Sequence, residues 1–424
     1  MKSTYRLFEA YGIELEYMIV DRSTLKVSPK SDRIFMEKNG QCIGELEDGI
    51  ISWSNELVLH VVELKTTNPA STLDSLEDHF HASLKKIENV LGELQCRLLP
   101  TAMHPTMIPK LETHLWPHDS KDVYDTYDRI FGCQGHGWSN LQSMHINLPF
   151  SNDEEFRKLH SAIRFILPLL PALAASSPIF EGNVNGVLCN RLLFYQNNQK
   201  RIPLIAGSVV PELVHSISDY KKDILESIYQ QVRPLDPDEM ICEEWVNSRG
   251  AIARFDRNAI EIRVLDIQEC PKADVSLAAL IVAALKILVS GDILSLQVQE
   301  MVSTSQLKEQ FDLSVVHAEN APLCVDEYRF LFEMDNRIGD SYGGLTARDV
   351  WKRLHQLALD RQLISVSHAE VVDHFLKYGS LSSRILRQLN IELPVRENIG
   401  VDVGSINKVY NRLAECLREN KLFI

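Results

Sequence analysis

The stretch Asn258–Asp266, reading Asn-Ala-Ile-Glu-Ile-Arg-Val-Leu-Asp, constrains this chain more than any other. Its β-branched and apolar residues predict a strand buried on at least one face, and strand alternation puts Glu261 and Arg263 on the same side. A carboxylate and a guanidinium in an apolar strand are costly to desolvate unless each meets a partner. Either the two form a mutual ion pair at a sheet edge, or Glu261 holds a divalent cation and Arg263 a phosphate oxygen.

Other stretches repeat the pattern. Tyr11–Asp21 alternates, with Glu14 and Glu16 on one face and Ile13, Leu15 and Tyr17 on the other. Two carboxylates about 7 Å apart on a strand repel unless a cation or solvent lies between them. Gly12 just before them permits close approach of another group. Asn55–Pro69 predicts a second strand region, in which Glu56 and Glu63 fall on opposite faces unless a bulge or bend intervenes. Ser143–Pro149 predicts a third, with His145 and Asn147 facing one way. If these strands are neighbours in one mainly antiparallel sheet, one face carries up to five carboxylates, a histidine and an arginine. Such a face calls for divalent cations, and hard oxygen ligands suit Mg²⁺ or Mn²⁺. Cations beside an arginine are one way to hold a polyphosphate for phosphoryl transfer. Neither a P-loop nor a Rossmann glycine pattern is present.

Composition fits a soluble enzyme: 45% hydrophobic and 24% charged residues, with a net charge of −14 that argues against a nucleic-acid surface. No basic segment followed by an apolar core opens the chain, and the apolar runs near 165–175 and 277–289 read as too short or too interrupted to cross a bilayer. A cytoplasmic location is therefore expected, with the eight cysteines reduced, since none forms a C-x-x-C pair.

Between the strands, residues 22–49 read as a loop with a hairpin-like excursion. Ser71–Leu98 reads as an amphipathic helix with His79 and His81 on its solvated flank, and Leu99–His104 as a short strand. A long loop carrying Trp116, His118, Tyr124 and Tyr127, with a short helix near Asp122–Phe131, has the character of a site cover. A Ser151/Glu154 capping box opens a helix from Asp153 to about Ala175, kinked by Pro168 and Pro171. Residues 183–210, with Arg191, Tyr195, Lys200 and Arg201, form either a solvated loop or a basic lid. Pro211–Val232 and Asp274–Leu296 read as helices, the second broken at Ser290-Gly291, and Trp245–Arg257 as a strand and turn. Four further helices lie at 347–360, 368–377, 380–389 and 405–420.

The segments Gly12–Glu16, Val62–Thr66, His104-Pro105, Met144–Asn147, Leu167–Pro178 with Glu181-Gly182, and Ile260–Asp266 occur in an order that resembles the glutamate–cysteine ligase type 2, or carboxylate–amine ligase, family of the glutamine-synthetase-like fold. The resemblance covers roughly residues 8–290. It implies an α+β fold, with a curved, mainly antiparallel sheet flanked by helices in a catalytic domain of residues 1–300, and a helical C-terminal region over 301–424. It implies ATP and Mg²⁺ (or Mn²⁺) on the concave face, where an acid is activated as an acyl phosphate and attacked by an amine. Glutamate would be the acid, and cysteine or another amino compound the amine. By position, Glu14, Glu16, Glu63 and Glu261 match metal-binding acids, with Glu56 a companion. His145 resembles the sheet histidine near metal and phosphate, with Asn147 beside it at the nucleotide. Arg263 would stabilise charge on the γ-phosphoryl group, and Arg191 and Glu63 would join it in catalysis.

Two departures stand out: Val184–Arg191 where the family often has Thr-Gly then Ser-x-Arg, and Leu64-Lys65-Thr66-Thr67 where it usually has an apolar residue and Thr-Pro. Partners expected on this reading are small-molecule acid and amine substrates, with no nucleic acid and no membrane; a homodimer is allowed for. The competing reading is a non-catalytic or regulatory member that binds a nucleotide or amino acid, and a remoter one is a metal-dependent hydrolase using the same acids.

Overall fold

In the computed structural model, residues 5–40, 42–332 and 344–424 are described. The region from 301 onward therefore includes positions, 333–343, that lie outside the described residues. Eight strands build the main sheet: β1 (Gly12–Asp21), β2 (Glu45–Asp48), β3 (Ile51–Asn55), β4 (Val61–Thr66), β5 (Cys96–Leu99), β6 (Ser143–Pro149), β8 (Ala251–Arg254) and β9 (Ala259–Asp266). The strand order is β2-β3-β4-β1-β6-β9-β8, with β5 pairing the far half of β1, and all these pairings are antiparallel. A second, two-stranded sheet joins β7 (Asn183–Val184) to β10 (Ile399–Gly400).

One face of the main sheet is apolar. Ile13, Leu15, Tyr17, Val62, Leu64, Met144, Ile146, Leu148, Ile260, Ile262 and Val264 are all buried in one core. The helices Leu76–Glu93, Asp153–Ile166 and Pro271–Ser290 contribute to the same core. Period-2 alternation then leaves the acids on the other face.

The helix Pro271–Ser290 is 20 residues long with a mean hydropathy of 2.0, which is enough to cross a membrane by length and composition. It starts three residues before the expected Asp274 and ends at Ser290, short of the expected Leu296. However, 83% of its most apolar window is buried inside the protein, as suits a central core helix. Pro271 occupies its first turn, and Gly291 closes it in the left-handed conformation at φ +76°. Leu296 belongs to a separate helix, Leu296–Met301.

Other boundaries differ from the sequence reading for local reasons. Ser31–Asn39 is a helix rather than loop, anchored by buried Ile34 and Phe35. The 76–93 helix stops short of Leu98 because Gln95 turns left-handed at φ +56°, and Leu98, whose spacing fits a helix equally well, enters β5. The short strand therefore lies at 96–99, not 99–104. The cap of the 153–166 helix is shifted by one residue: Asn152 accepts from the Glu155 N–H, while Ser151 N–H donates to the Glu155 carboxylate. Beyond Ile166, Pro168 and Pro171 divide the chain into a 3₁₀ turn and a short helix, Leu170–Ala174. Helix formation after Pro211 waits until Ile217, capped by Ser216, and passes through a π-helical stretch at Tyr220–Glu226.

Downstream helices Ala347–Asp360, Val366–Tyr378, Leu381–Gln388 and Val403–Glu419 pack onto the same core. A buried ion pair ties them to the end of β9. Arg384 donates to Glu269 at 2.5 and 3.2 Å and to the Phe423 carbonyl at 2.7 Å. Glu269 is fully buried, so removing it strands a charge in the core. Glu269→Leu should destabilise the protein by about 3–5 kcal/mol, with most of the loss recovered in the double variant Glu269→Leu/Arg384→Met. Urea unfolding of the three proteins checks this; equal losses in single and double variants would mean that packing, not charge, sets the cost.

Candidate functional site

Strand register assembles the polar face. Glu16 lies opposite Glu63 across β1 and β4, and Glu14 opposite His145 across β1 and β6. Asn147 pairs with Gly12 on one side and with Glu261 on the other. Glycine at position 12 suits a close approach, since a Cβ there would sit 3.0 Å from that of Asn147 and press on it. The Asn147 amide then donates to Glu14 at 3.0 Å.

Glu56 and Glu63 do meet, and a bend is the reason. The expected single strand is two strands: β3 ends at Asn55, β4 starts at Val61, and the turn between them returns Glu63 alongside Ser54. Ligand atoms of Glu16, Glu56 and Glu63 lie within 4.8 Å of one another, as do those of Glu14, Glu63 and His145. Glu63 is common to both groups, so the two could be bridged through one carboxylate.

A cavity of about 360 Å³ takes in Glu14, Glu16, Glu56, Glu63, His145, Glu261, Arg263 and Arg191. Asn147 is the one expected site residue outside it; it lines a neighbouring cavity of about 580 Å³. The two cavities share Glu14, Lys65 and Arg257.

Electrostatics separate the carboxylates. Burial and the neighbouring Glu14 charge push Glu63 up to about 7, against the lowering effects of Lys65 and the Ser54 hydroxyl, which donates to it. Burial and the charges of Glu63 and Glu16 push Glu56 well above the ordinary carboxylate range. Burial acts on Glu14 in the same sense but is outweighed by the His145 imidazole, 2.9 Å away, so Glu14 is lowered. His145 is correspondingly raised: burial opposes its charge, and Glu14 and Glu16 overcome it. Glu16 accepts the Ser143 N–H at 2.8 Å, and the Ser143 hydroxyl lies 2.9 Å from the other imidazole nitrogen.

Glu261 is held from both sides, by Arg263 at 2.5 and 3.0 Å and Arg254 at 3.1 Å. Burial would raise its pKa, but Arg263, His145 and Arg254 bring it far below the usual range. The ion pair expected of this strand is thus present, but not at a sheet edge, because β9 lies between β6 and β8. Arg263 nevertheless still lines the cavity. Glu261 lies 3.9 Å from His145 but belongs to neither three-residue carboxylate group.

The 183–210 segment is not a basic lid. Arg191 sits in the short helix Asn190–Tyr195, only 2% exposed, pairing with Asp266 at 3.4 Å and donating to the Arg263 carbonyl at 2.9 Å. It and Tyr195 line the cavity, whereas Lys200 and Arg201 do not; Arg201 donates to the Ile130 carbonyl. The long loop supplies Tyr127 and Trp138, which with Trp245 form an aromatic wall with ring centroids 5.3 and 5.8 Å from that of Tyr127. Trp116 is core instead.

Sequence reasoning missed Lys65, Ser143, Arg254 and Arg257. The first two were visible by the period-2 rule, lying two residues from Glu63 and His145; the arginines lie in the strand and turn expected at 245–257, where no charge pattern marked them as facing the site.

The description Glutamate-cysteine ligase family 2 (GCS2) matches residues 10–310 of this chain. An uncharacterized protein of Archaeoglobus fulgidus is 39% identical over 276 residues, 65% of this chain and 73% of that protein. A Jannaschia sp. (strain CCS1) protein, provisionally named glutamate–cysteine ligase 2, is 26% identical over 194 residues, covering 44% of this chain and only 46% of its own length. Among solved structures, the glutamate–cysteine ligase of Francisella tularensis in complex with AMP superposes with a TM-score of 0.59 at 12% identity, over 98% of this chain and 90% of that one. The fold is therefore shared with that ligase, and the sheet carries its acids on the face expected. With the family's description matched across the whole of this sheet, the chain belongs to glutamate–cysteine ligase family 2.

Proposed function

We propose that the chain is an ATP- and Mg²⁺-dependent carboxylate–amine ligase, working in the cytoplasm, that joins glutamate to cysteine or a related amino compound. The observation that carries this reading is the pair of acid groups sharing Glu63 on one sheet face, beside an arginine anchored by Glu261. Family membership and the AMP bound by the Francisella neighbour support it.

The donor set fits divalent ions. Carboxylates that resist ionisation because they are buried and face one another are relieved by a cation, and all but one of the donors are oxygens. Glu14, Glu63 and His145 would hold one Mg²⁺ or Mn²⁺, and Glu16, Glu56 and Glu63 another. Such ions, when bound, neutralise phosphate charge. In the reaction, an oxygen of the acid attacks the γ-phosphorus of ATP, releasing ADP and leaving an acyl phosphate; nitrogen of the amine then attacks the acyl carbon and phosphate departs.

Arg263 meets the charge that spreads over the transferred phosphoryl group. Glu261 and the Arg191 contact to its carbonyl hold Arg263 in place, so it reorganises little. Tyr127, Trp138 and Trp245 shield the acyl phosphate from water. Asn147 orients Glu14 beside the nucleotide. Residues 1–300 form the catalytic unit, and 301–424 support it.

Coupled ADP release across a panel of amino-acid pairs, with mass spectrometry for a new amide, tests the function. The expected outcome is release that requires an acid and rises with one amine; turnover indifferent to both would point to a hydrolase. Glu261→Gln and Arg263→Lys should each lower ADP formation by about 10²-fold or more while unfolding cooperatively.

The raised carboxylates also impose a pH dependence. Because folded Glu63 keeps its proton to about pH 7 while the unfolded chain releases it near 4.5, the folded state binds more protons in between. Stability in chelator should therefore fall as pH rises from about 4.5 to 7, by at most roughly 3 kcal/mol for this group. Magnesium should flatten the decline, and Glu63→Gln should reduce it without magnesium. Thermal unfolding across that range, with and without Mg²⁺, reads it directly; a decline unaltered by the ion would remove the metal role.

A further inference from the structure

We propose that Lys65 is a phosphate-binding residue, taking a β- or γ-phosphate oxygen at the junction between the two cavities. This rests on the ligase reading above. Lys65 lies on β4, in register with Glu14 and two residues from Glu63, so it projects from the acidic face. It lines both cavities, as do only Glu14 and Arg257. The two cavities thus adjoin at these three residues, and a ligand that spanned both would meet Lys65 and Arg257 as well as Glu14. A polyphosphate is the ligand whose length and charge suit that span.

The ammonium is held by two ion pairs, neither of them short. It stands 3.4 Å from Glu45 and 3.6 Å from Glu63, longer than the roughly 2.7–2.9 Å of a strong charge-assisted hydrogen bond. Glu45 is 57% exposed, so that pairing is screened by water. Arg257 is held as loosely, 3.8 Å from Glu14. By contrast, Arg263 and Arg254 are bound closely to Glu261. Cations bound at the acid groups would also take over the charge of Glu63, its buried partner, and leave Lys65 with a positive charge and only the exposed Glu45 as acceptor. A phosphate oxygen supplies another.

Calorimetric binding of AMP and of a non-hydrolysable ATP analogue, each with and without Mg²⁺, tests this without turnover. Lys65→Met should weaken the ATP analogue by about 10- to 100-fold and leave AMP within twofold, with Lys65→Arg recovering part of the loss. Glu45→Gln should leave both ligands unchanged. Equal binding of the analogue by wild type and Lys65→Met, an equal loss for AMP and analogue, or the same loss in Glu45→Gln would overturn the assignment while leaving the ligase reading standing. Wild-type protein that binds neither nucleotide would overturn both.

Discussion

Mutual repulsion among carboxylates on one sheet face is the constraint on which the rest of the structure depends. The opposite face is so apolar that the strands have one way to lie, and that choice drives Glu14, Glu16, Glu56, Glu63 and Glu261 together. Nothing about burying leucines and isoleucines requires acids on the other side. They persist against a cost, which the protein offsets unevenly: an imidazole for Glu14, two guanidiniums for Glu261, a backbone N–H for Glu16. For Glu56 and Glu63 the offset falls short, even with Ser54 and Lys65 beside Glu63, and burial with neighbouring charge keeps both above the ordinary carboxylate range.

How this was legible differs residue by residue. Alternation alone placed Glu14 with Glu16, His145 with Asn147, and Glu261 with Arg263, because a strand has a single period. Glu56 and Glu63 defeated the same rule. The residues between them, Leu57–His60, are as apolar as a strand interior, so nothing local announced the turn that reverses the chain there. Arg191 was recognised as a candidate, but its surroundings were misjudged: its partner Asp266 lies 75 residues away, and only folding shows that the guanidinium is buried against the site strand rather than swinging over it. The aromatic wall was half visible, since the loop bearing Tyr127 had the look of a cover, while Trp245 arrives from a separate segment.

Of the two readings of Glu261 and Arg263, the structure holds the ion pair, and the phosphate role proposed for the arginine does not conflict with it. A tight ion pair fixes the arginine in space, and a fixed arginine beside acid groups is more useful to a phosphate than a free one, because its reorganisation is already complete. Arg191 reinforces the arrangement from the backbone side, bonding to the carbonyl of the residue whose side chain faces the cavity.

The strand register has a consequence for how such a protein can change. Each of the site strands puts its chemistry and its core on alternate residues, so a one-residue insertion or deletion within β9 would exchange Glu261 and Arg263 for Ile262 and Val264, sending charge into the core and isoleucine into the cavity. The pairing of β6 with β9 already contains one irregularity, between Met144 and Ile146, at the position of His145. A length change in these strands therefore has to be absorbed locally, as that irregularity is, or it moves every residue beyond it to the wrong face. Insertion is tolerated more readily in the loops that join them, where no side-chain alternation has to be kept.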